Sequence, residues 1–209
     1  MICLLCELPL SHAQRYIPER LHCRCDTCGL ICATDFKRLN FEQERSRYEL
    51  HQNSPADSSY RAFLNRLILP MLRYLDESSD GLDFGCGKGP TLSVLMAEKG
   101  FSMSNYDPHF FPDRSLLAAT YDFVTCTEVV EHFKDPQAEF KLLHKILRPG
   151  GVLGVMTQFY PEEALENWWY LKDPTHVIFF SPKTFHWIAQ HFQYEVLHVG
   201  DNIALLKKS

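Results

Sequence analysis

The chain of 209 residues carries 21 Lys+Arg against 26 Asp+Glu, a formal net charge of −5, and is 45% hydrophobic. That length suits one full domain plus a small module, and the acidic balance argues against a nucleic-acid-binding surface spread over the whole protein. No apolar run approaches the roughly 18 residues of a membrane helix; the start, Met1-Ile2-Cys3-Leu4-Leu5-Cys6, lacks the basic leader and cleavage site of a signal peptide, so a cytoplasmic protein is expected.

Six of the eight cysteines fall in the first 32 residues. They include Cys3-x-x-Cys6 and Cys25-x-x-Cys28, the latter followed by Gly29. A two-residue spacer lets both thiolates of one turn reach a single tetrahedral ion, and Gly29 permits the turn that aims backbone N–H groups at the sulfurs. A segment this small has too little core to fold without such an ion. Residues 1–35 are therefore expected to form a zinc ribbon, with Cys3, Cys6, Cys25 and Cys28 holding a structural Zn²⁺. Cys23 and Cys32 are surplus, and either can stand in for Cys25 or Cys28; His22 is a further ligand candidate. Disulfides would need an oxidising compartment. Cys86 and Cys126 read as small apolar residues of the larger domain.

Residues 36–55 are polar and charged, with Glu42, Glu44, Arg45, Arg47 and Glu49, and read as a linker or a lid helix. From 58 to 75 apolar residues recur at helical spacing (Phe63, Leu67, Leu72, Leu75), with Asp57 or Ser58 as cap and a kink expected at Pro70. Strands then alternate with helices: strand 82–85, helix 90–99, strand 101–106, strand 121–126, helix 135–147, strand 151–157. Such alternation implies a mostly parallel sheet with helices on both faces, the doubly wound α/β class. Pro149-Gly150-Gly151 should end the helix before it. A last helix, 182–191, precedes strands 194–199 and 203–206, joined by Gly200-Asp201-Asn202 as an antiparallel hairpin. Residues 56–209 thus read as one Rossmann-like domain.

The most informative stretch is Leu82-Asp83-Phe84-Gly85-Cys86-Gly87-Lys88-Gly89. A strand ends in an acid and runs into a glycine-rich turn that leads to a helix N-terminus. Glycines allow the sharp turn and a close approach to a ligand. A second acid, Asp107, closes the next strand, where it can accept both hydroxyls of a ribose. The spacing is Asp-x-Gly-x-Gly-x-Gly, not the G-x-G-x-x-G that seats a pyrophosphate. Asp83 would repel a pyrophosphate but can accept from an ammonium group. That suits S-adenosylmethionine, which carries an amino-acid tail.

On these residues the chain resembles the class I S-adenosylmethionine-dependent methyltransferases. Four segments carry the resemblance: the glycine loop, Asn105-Tyr106-Asp107, Tyr121-Asp122-Phe123-Val124-Thr125-Cys126-Thr127-Glu128-Val129-Val130-Glu131-His132-Phe133, and Leu147-Arg148-Pro149-Gly150-Gly151. Their order and spacing match the family from about residue 60 onward, and the E-V-x-E-H pattern is similar to that of ubiquinone-biosynthesis O-methyltransferases. The resemblance implies a cofactor site of Asp83, Gly85, Cys86, Gly87, Asp107 and Thr127. Only residues 108–120 separate Asp107 from Tyr121, where the family usually has a helix, a third strand and an acid for the adenine. The third strand is therefore expected to be short or degenerate.

Methyl transfer is an in-line displacement at an activated sulfonium, so the protein mainly positions two partners and removes a proton from the acceptor. Glu128, Glu131 and His132 follow strand 121–126; on a helix they would share one face at the ligand-binding edge of the sheet. Two carboxylates and an imidazole can hold Mg²⁺ or another divalent ion, with His176 as a fourth ligand. The arrangement is similar to the E-x-x-E-H cluster of small-RNA 3′-end 2′-O-methyltransferases; the same residues can equally brace the cofactor loop. His176 lies in an insert, 158–181, rich in aromatics (Phe159, Tyr160, Trp168, Trp169, Tyr170, Phe179, Phe180), and its imidazole suits a general base for a hydroxyl. The catalytic expectation is His176 with His132 and Glu128. The acceptor implied by the resemblance is a hydroxyl of a small molecule. Two rival readings stay open: an RNA gripped by the ribbon through Arg15, Arg20, Arg24, Lys37 and Arg38, and a partner-binding protein that keeps the cofactor fold without catalysis.

Overall fold

A computed structural model describes residues 1–10, 12–34, 38–50 and 53–209. The expected boundary between module and linker, and Lys37 of the basic patch, lie outside the described residues.

The N-terminal part is built from strands β1 (His12–Ile17), β2 (Arg20–Arg24) and β3 (Ile31–Thr34), followed by helix α1 (Phe41–Tyr48). Helix α2 (Ser58–Met71) is capped by the Asp57 carboxylate, which accepts from the Ser59 and Tyr60 N–H groups. It runs through Pro70 and gives way to a 3-10 turn, Leu72–Tyr74, so the regular helix is shorter than its apolar period suggests. Then come β4 (Asp80–Phe84), α3 (Thr91–Ala97), β5 (Ser102–Tyr106), β6 (Tyr121–Thr127), α4 (Pro136–Ile146) and β7 (Leu147–Met156). The chain closes with β8 (Ile178–Phe179), α5 (Pro182–His191), β9 (Tyr194–Gly200) and β10 (Ile203–Lys208).

The main sheet has the order β5-β4-β6-β7-β10-β9. Its first four strands are parallel, and β10 and β9 add antiparallel to β7. This is the expected doubly wound sheet with its terminal hairpin. The third strand is absent: a 3-10 turn, Arg114–Ala118, fills the short connection, and β5 becomes the edge. Helix α2 buries Leu64, Leu67, Ile68 and Met71 against one face. It comes so close that a Cβ on Gly154 would lie 3.1 Å from the Met71 sulfur. Helix α4 buries Phe140, Leu143 and Ile146 on the other face. Each such side chain contributes about 1.5–3 kcal/mol on leaving water.

Two expectations are corrected. Pro149-Gly150-Gly151 does not stand between helix and strand; it lies inside β7. Tyr121 pairs with Leu147 and Phe123 with Val152, so the Pro-Gly-Gly triplet is the irregularity that absorbs the slip in register. The segment after β6 is also not an α-helix. Glu128 has φ of 53°, and a 3-10 turn, Val130–His132, follows. Glu128, Glu131 and His132 therefore do not share a helical face.

The cysteine module is not a separate body. Strand β8, from the aromatic insert, pairs with β3 and completes a second sheet, β1-β2-β3-β8. Cys3, Leu5, Cys25, Cys28 and Leu30 belong to the same core as Phe140, Phe180 and Phe185.

Candidate active site

At the end of β4, Gly85 and Gly87 take left-handed φ values of 84° and 66°. A Cβ on Gly85 would meet Val129 at 2.5 Å, so the turn admits no side chain there. The loop is tied to β5: the Gly85 and Cys86 N–H groups donate to the Tyr106 carbonyl at 2.7 and 3.1 Å. Asp107 completes the bracket. Its Oδ2 accepts from the Gly87 N–H at 3.0 Å, and its Oδ1 from the His109 and Phe110 N–H groups. Asp83 is buried and accepts from the Thr125 hydroxyl at 2.8 Å. Burial pushes its carboxyl up to about 7; Asp107 adds to the rise and Thr125 opposes it.

A cleft of about 810 Å³ runs from this loop to the aromatic insert, a size that takes a cofactor and a second molecule. Asp83, Gly85, Cys86, Gly87, Asp107 and Thr127 line one end. Glu128, Glu131, His132, Tyr170 and His176 line the other. The buried Thr127 and Thr91 hydroxyls have no partner there, nor has Oε1 of Glu128.

At the second end the proton inventory is constrained. The Tyr170 hydroxyl reaches both Glu128 Oε2, at 3.0 Å, and Glu131 Oε1. One phenolic proton is shared between two carboxylates, which favours a proton on one of them. Burial accordingly raises Glu128 to about 8, with the charge of Glu131 adding to it, and raises Glu131 to about 7. Glu131 also accepts from the Thr157 hydroxyl at 3.0 Å. His132 Nδ1 lies 3.1 Å from the Thr175 carbonyl, and His176 Nδ1 lies 2.9 Å from the Tyr170 carbonyl. A carbonyl only accepts, so each ring carries its proton on Nδ1 and leaves Nε2 as an acceptor. Burial lowers both imidazoles, His176 to about 3 with His132 adding to it. Both rings are therefore neutral near pH 7, and His176 is a much weaker base than a free histidine.

The structure brings Glu131, His132 and His176 together, with ligand atoms within 4.8 Å of one another. Glu128 stands outside this set and connects to it through Tyr170. Ring Nδ1–H groups held by backbone carbonyls, with Nε2 open, are the usual support of metal-binding histidines, so these residues fit a divalent ion. Of the divalent ions the sequence allows, two imidazoles suit Zn²⁺, Fe²⁺ or Ni²⁺ better than Mg²⁺.

Three contributors take roles the sequence did not assign them, although a lid helix is among the readings of residues 36–55. Tyr170 reads from sequence as one aromatic among many, yet it joins both glutamates. Helix α1 supplies Glu44 and Tyr48 to the cleft wall, held by Glu44–Lys134 at 2.7 Å and Arg47–Asp173 at 2.7 Å. Asn53 covers the glycine loop so closely that a Cβ on Gly89 would lie 2.0 Å from its carbonyl oxygen.

The cysteine cluster lies away from the cleft. Cys3, Cys6, Cys25 and Cys28 gather with sulfurs within 4.8 Å; Cys3–Cys28 is 3.5 Å and Cys6–Cys25 is 3.4 Å. Four thiolates about 2.3 Å from one ion would stand at about this separation, so the donor set fits zinc. The two turns repeat one geometry. Cys3 N–H donates to Leu8 and Cys25 N–H to Leu30; Glu7 and Gly29 N–H groups donate back to Cys3 and Cys25. Glu7, at φ 59°, holds the left-handed position that Gly29, at φ 75°, holds in the second turn. Cys23 and Cys32 face each other across β2 and β3, and His22 lies buried between Tyr16 and Phe179. None of the three belongs to the cluster.

Two members of the expected basic patch are placed elsewhere. Arg20 is buried, and Arg24 pairs with Glu162 at 3.1 Å.

Comparison with known proteins bears on the fold and the cofactor end. The family model described as a methyltransferase domain matches residues 56–199. A ubiquinone biosynthesis O-methyltransferase of Idiomarina loihiensis is 28% identical over 180 residues, 68% of this chain and 70% of that protein. The Escherichia coli protein of that name is 29% identical over 118 residues, 42% of this chain. The chain spans about half the length of that relative, 49%. The structure of magnesium protoporphyrin IX methyltransferase from Synechocystis with bound SAH shares the fold, with a TM-score of 0.52 and 14% identity over 84% of this chain and 90% of that one. The matched span contains the glycine loop, both acids and the turn that carries Glu131 and His132, and the chain belongs to the methyltransferase domain family as an S-adenosylmethionine-dependent methyltransferase.

Proposed function

We propose that the enzyme methylates a hydroxyl of a small, ring-bearing molecule. The supporting observation is the cleft itself, continuous from the glycine loop to a wall of Tyr170, Trp169 and two neutral imidazoles. In this reading Asp83 accepts from the ammonium of the cofactor tail and Asp107 from the ribose. The acceptor lies beyond the sulfonium, its hydroxyl against the Nε2 atoms of His132 and His176, while Glu128 offers a buried oxygen with no other partner. The formal net charge of −5 disfavours a polyanionic acceptor such as RNA. The deciding experiment supplies labelled cofactor to cell extract split into RNA, protein and small-molecule fractions. Label in the small-molecule fraction supports the reading; label confined to RNA or protein, or no transfer at all, overturns it.

A second reading of the same end follows from the Glu131, His132 and His176 cluster. These residues would hold a divalent ion, whose Lewis acidity would lower the pKa of an acceptor hydroxyl. Activity lost to a chelator and restored by Zn²⁺, Fe²⁺ or Ni²⁺ more than by Mg²⁺ is expected.

The Asp83 reading has a pH signature. The ionised carboxylate is the form that binds an ammonium, and in the free protein it is half protonated at about 7. Cofactor affinity should therefore rise with pH up to about 7 and fall about tenfold per unit below it. Calorimetry between pH 5.5 and 8 reads this slope, and Asp83→Asn should flatten it at weaker affinity.

For the cysteine centre, Cys3, Cys6, Cys25 and Cys28 are proposed to bind a structural zinc. Metal analysis should find about one zinc per chain. Cys25→Ser should lower that figure and leave cofactor affinity largely intact. A well-folded metal-free module, or a disulfide between the pairs, would contradict the assignment.

A further inference from the structure

The segment Asp173–Val177, which carries His176, is held from several sides. Arg47 of α1 grips the Asp173 carboxylate through Nε and Nη2, at 3.1 and 2.7 Å. Asp173 Oδ1 in turn accepts from the Thr175 N–H and hydroxyl. His132 Nδ1–H donates to the Thr175 carbonyl, and the Val177 N–H donates to the Glu131 carbonyl at 2.9 Å. The remaining holds come from the cysteine module. The Ala33 N–H of β3 donates to the Val177 carbonyl at 2.8 Å. Arg20 of β2, only 5% exposed, donates from Nη1 to the His176 carbonyl at 2.7 Å.

These two holds start on one hairpin. β2 and β3 pair antiparallel, with His22 opposite Ala33 and Arg24 opposite Ile31. The turn that joins them is Cys25 to Leu30, the second cysteine turn. Cys25 follows the last residue of β2, and Arg20 is its first. The turn is also fastened to the larger domain. The Tyr160 hydroxyl donates to the Gly29 carbonyl, and Lys183 donates to the Asp26 carbonyl. A Cβ on Gly29 would lie 3.2 Å from the Ser181 hydroxyl. Arg20 is buried where the module meets the His176 segment, so its hydrogen bond to the His176 carbonyl is made away from solvent.

We propose that Arg20 is a positioning residue for His176, and that the cysteine hairpin acts through it and Ala33 to set the acceptor end of the cleft. The inference rests on reading His176 as an acceptor-side residue. It assigns the module a task inside the molecule, distinct from gripping a substrate.

The test reads the imidazole ring and not methyl transfer, so its outcome is independent of the acceptor's identity. Nitrogen-15 histidine spectra of the full chain report the His176 tautomer, here Nδ1–H. Arg20→Met should turn one sharp Nδ1–H signature into a mixture of tautomers. It should also speed hydrogen exchange at Val177 by at least tenfold, with zinc content and SAH affinity within twofold of the unmodified protein. Arg20→Lys, whose ammonium can still donate to the His176 carbonyl, should restore most of the single signature. Should Arg20→Met fail to fold, Arg20→Leu, which likewise has no donor, is read the same way. An unchanged His176 signature in a folded Met or Leu variant overturns the proposal, as does a Lys variant no better than Met.

Discussion

Replacing His176 with alanine is expected to cut turnover by about 10²–10⁴-fold, the range for a lost proton-handling group, with SAH affinity changed less than twofold. The glycine loop is held by Tyr106 and Asp107 and not by His176, so the cofactor loop should not register its loss. Burial holds the ring near a pKa of about 3. It therefore does not change charge between pH 5 and 8, and its contribution comes from an oriented Nε2 lone pair. The pH profile of the unmodified enzyme should accordingly lack a histidine limb near 6.5, and His176→Ala should lower the profile without moving it. Single-turnover rates with the labelled acceptor fraction give the number. Glu131→Gln keeps the shape of the side chain and removes its charge. If an ion is held there, the loss should match that of His176→Ala and be accompanied by loss of bound metal. Activity of His176→Ala within threefold of the unmodified enzyme would exclude a role at the reacting hydroxyl.

Phe123→Ala should destabilise the fold by about 3–5 kcal/mol, the cost of a large cavity in a rigid core. Phe123 lies on β6, near the middle of the main sheet, and is fully buried. Its ring lies against Gly81 of β4, where a Cβ would come within 2.1 Å, and meets Phe101 edge-on at 6.2 Å. Strands on both sides hydrogen-bond to β6, so the cavity cannot close by a helix sliding in. A chain of this size shifts its midpoint by about 2–4 °C per kcal/mol, which differential scanning fluorimetry resolves. The converse change, Gly81→Ala, should also destabilise, because its Cβ falls inside the ring. A loss below about 1 kcal/mol for Phe123→Ala would mean that the space is refilled and the sheet less rigid than drawn.

What the sequence made legible was local. The glycine loop declares itself because strand, acid, glycines and helix start follow within a dozen residues, and the short connection from Asp107 to Tyr121 signals a reduced third strand, which the structure replaces with a 3-10 turn. The terminal hairpin is equally plain from its Gly-Asp-Asn turn. Four features hid for physical reasons. Glu128 takes a left-handed backbone angle, which a glutamate gives no sign of, so a helical face for Glu128, Glu131 and His132 was the natural but incorrect reading. Pro149-Gly150-Gly151 resembles a helix stop and serves as a strand irregularity, because register is decided by the neighbouring strand. Arg20 reads as a surface cation, and only the tertiary contact with the His176 carbonyl shows it inside. Tyr170 was one of several aromatics, and nothing nearby in sequence marks it as the residue joining two carboxyls.

The pairing of β8 with β3 has a consequence for how the chain is made. The cysteine turns are synthesised before the strand that completes their sheet and can take up the proposed ion at once. The strand that completes their sheet is synthesised only after most of the larger domain, and domains generally form as they emerge. Contacts so distant along the chain form slowly. The exposed edge of β3 must therefore wait, and the His176 segment is seated last, when both halves already exist. Nascent chains stalled before residue 177 should hold metal yet leave β3 open to protease, whereas chains released past α5 should not.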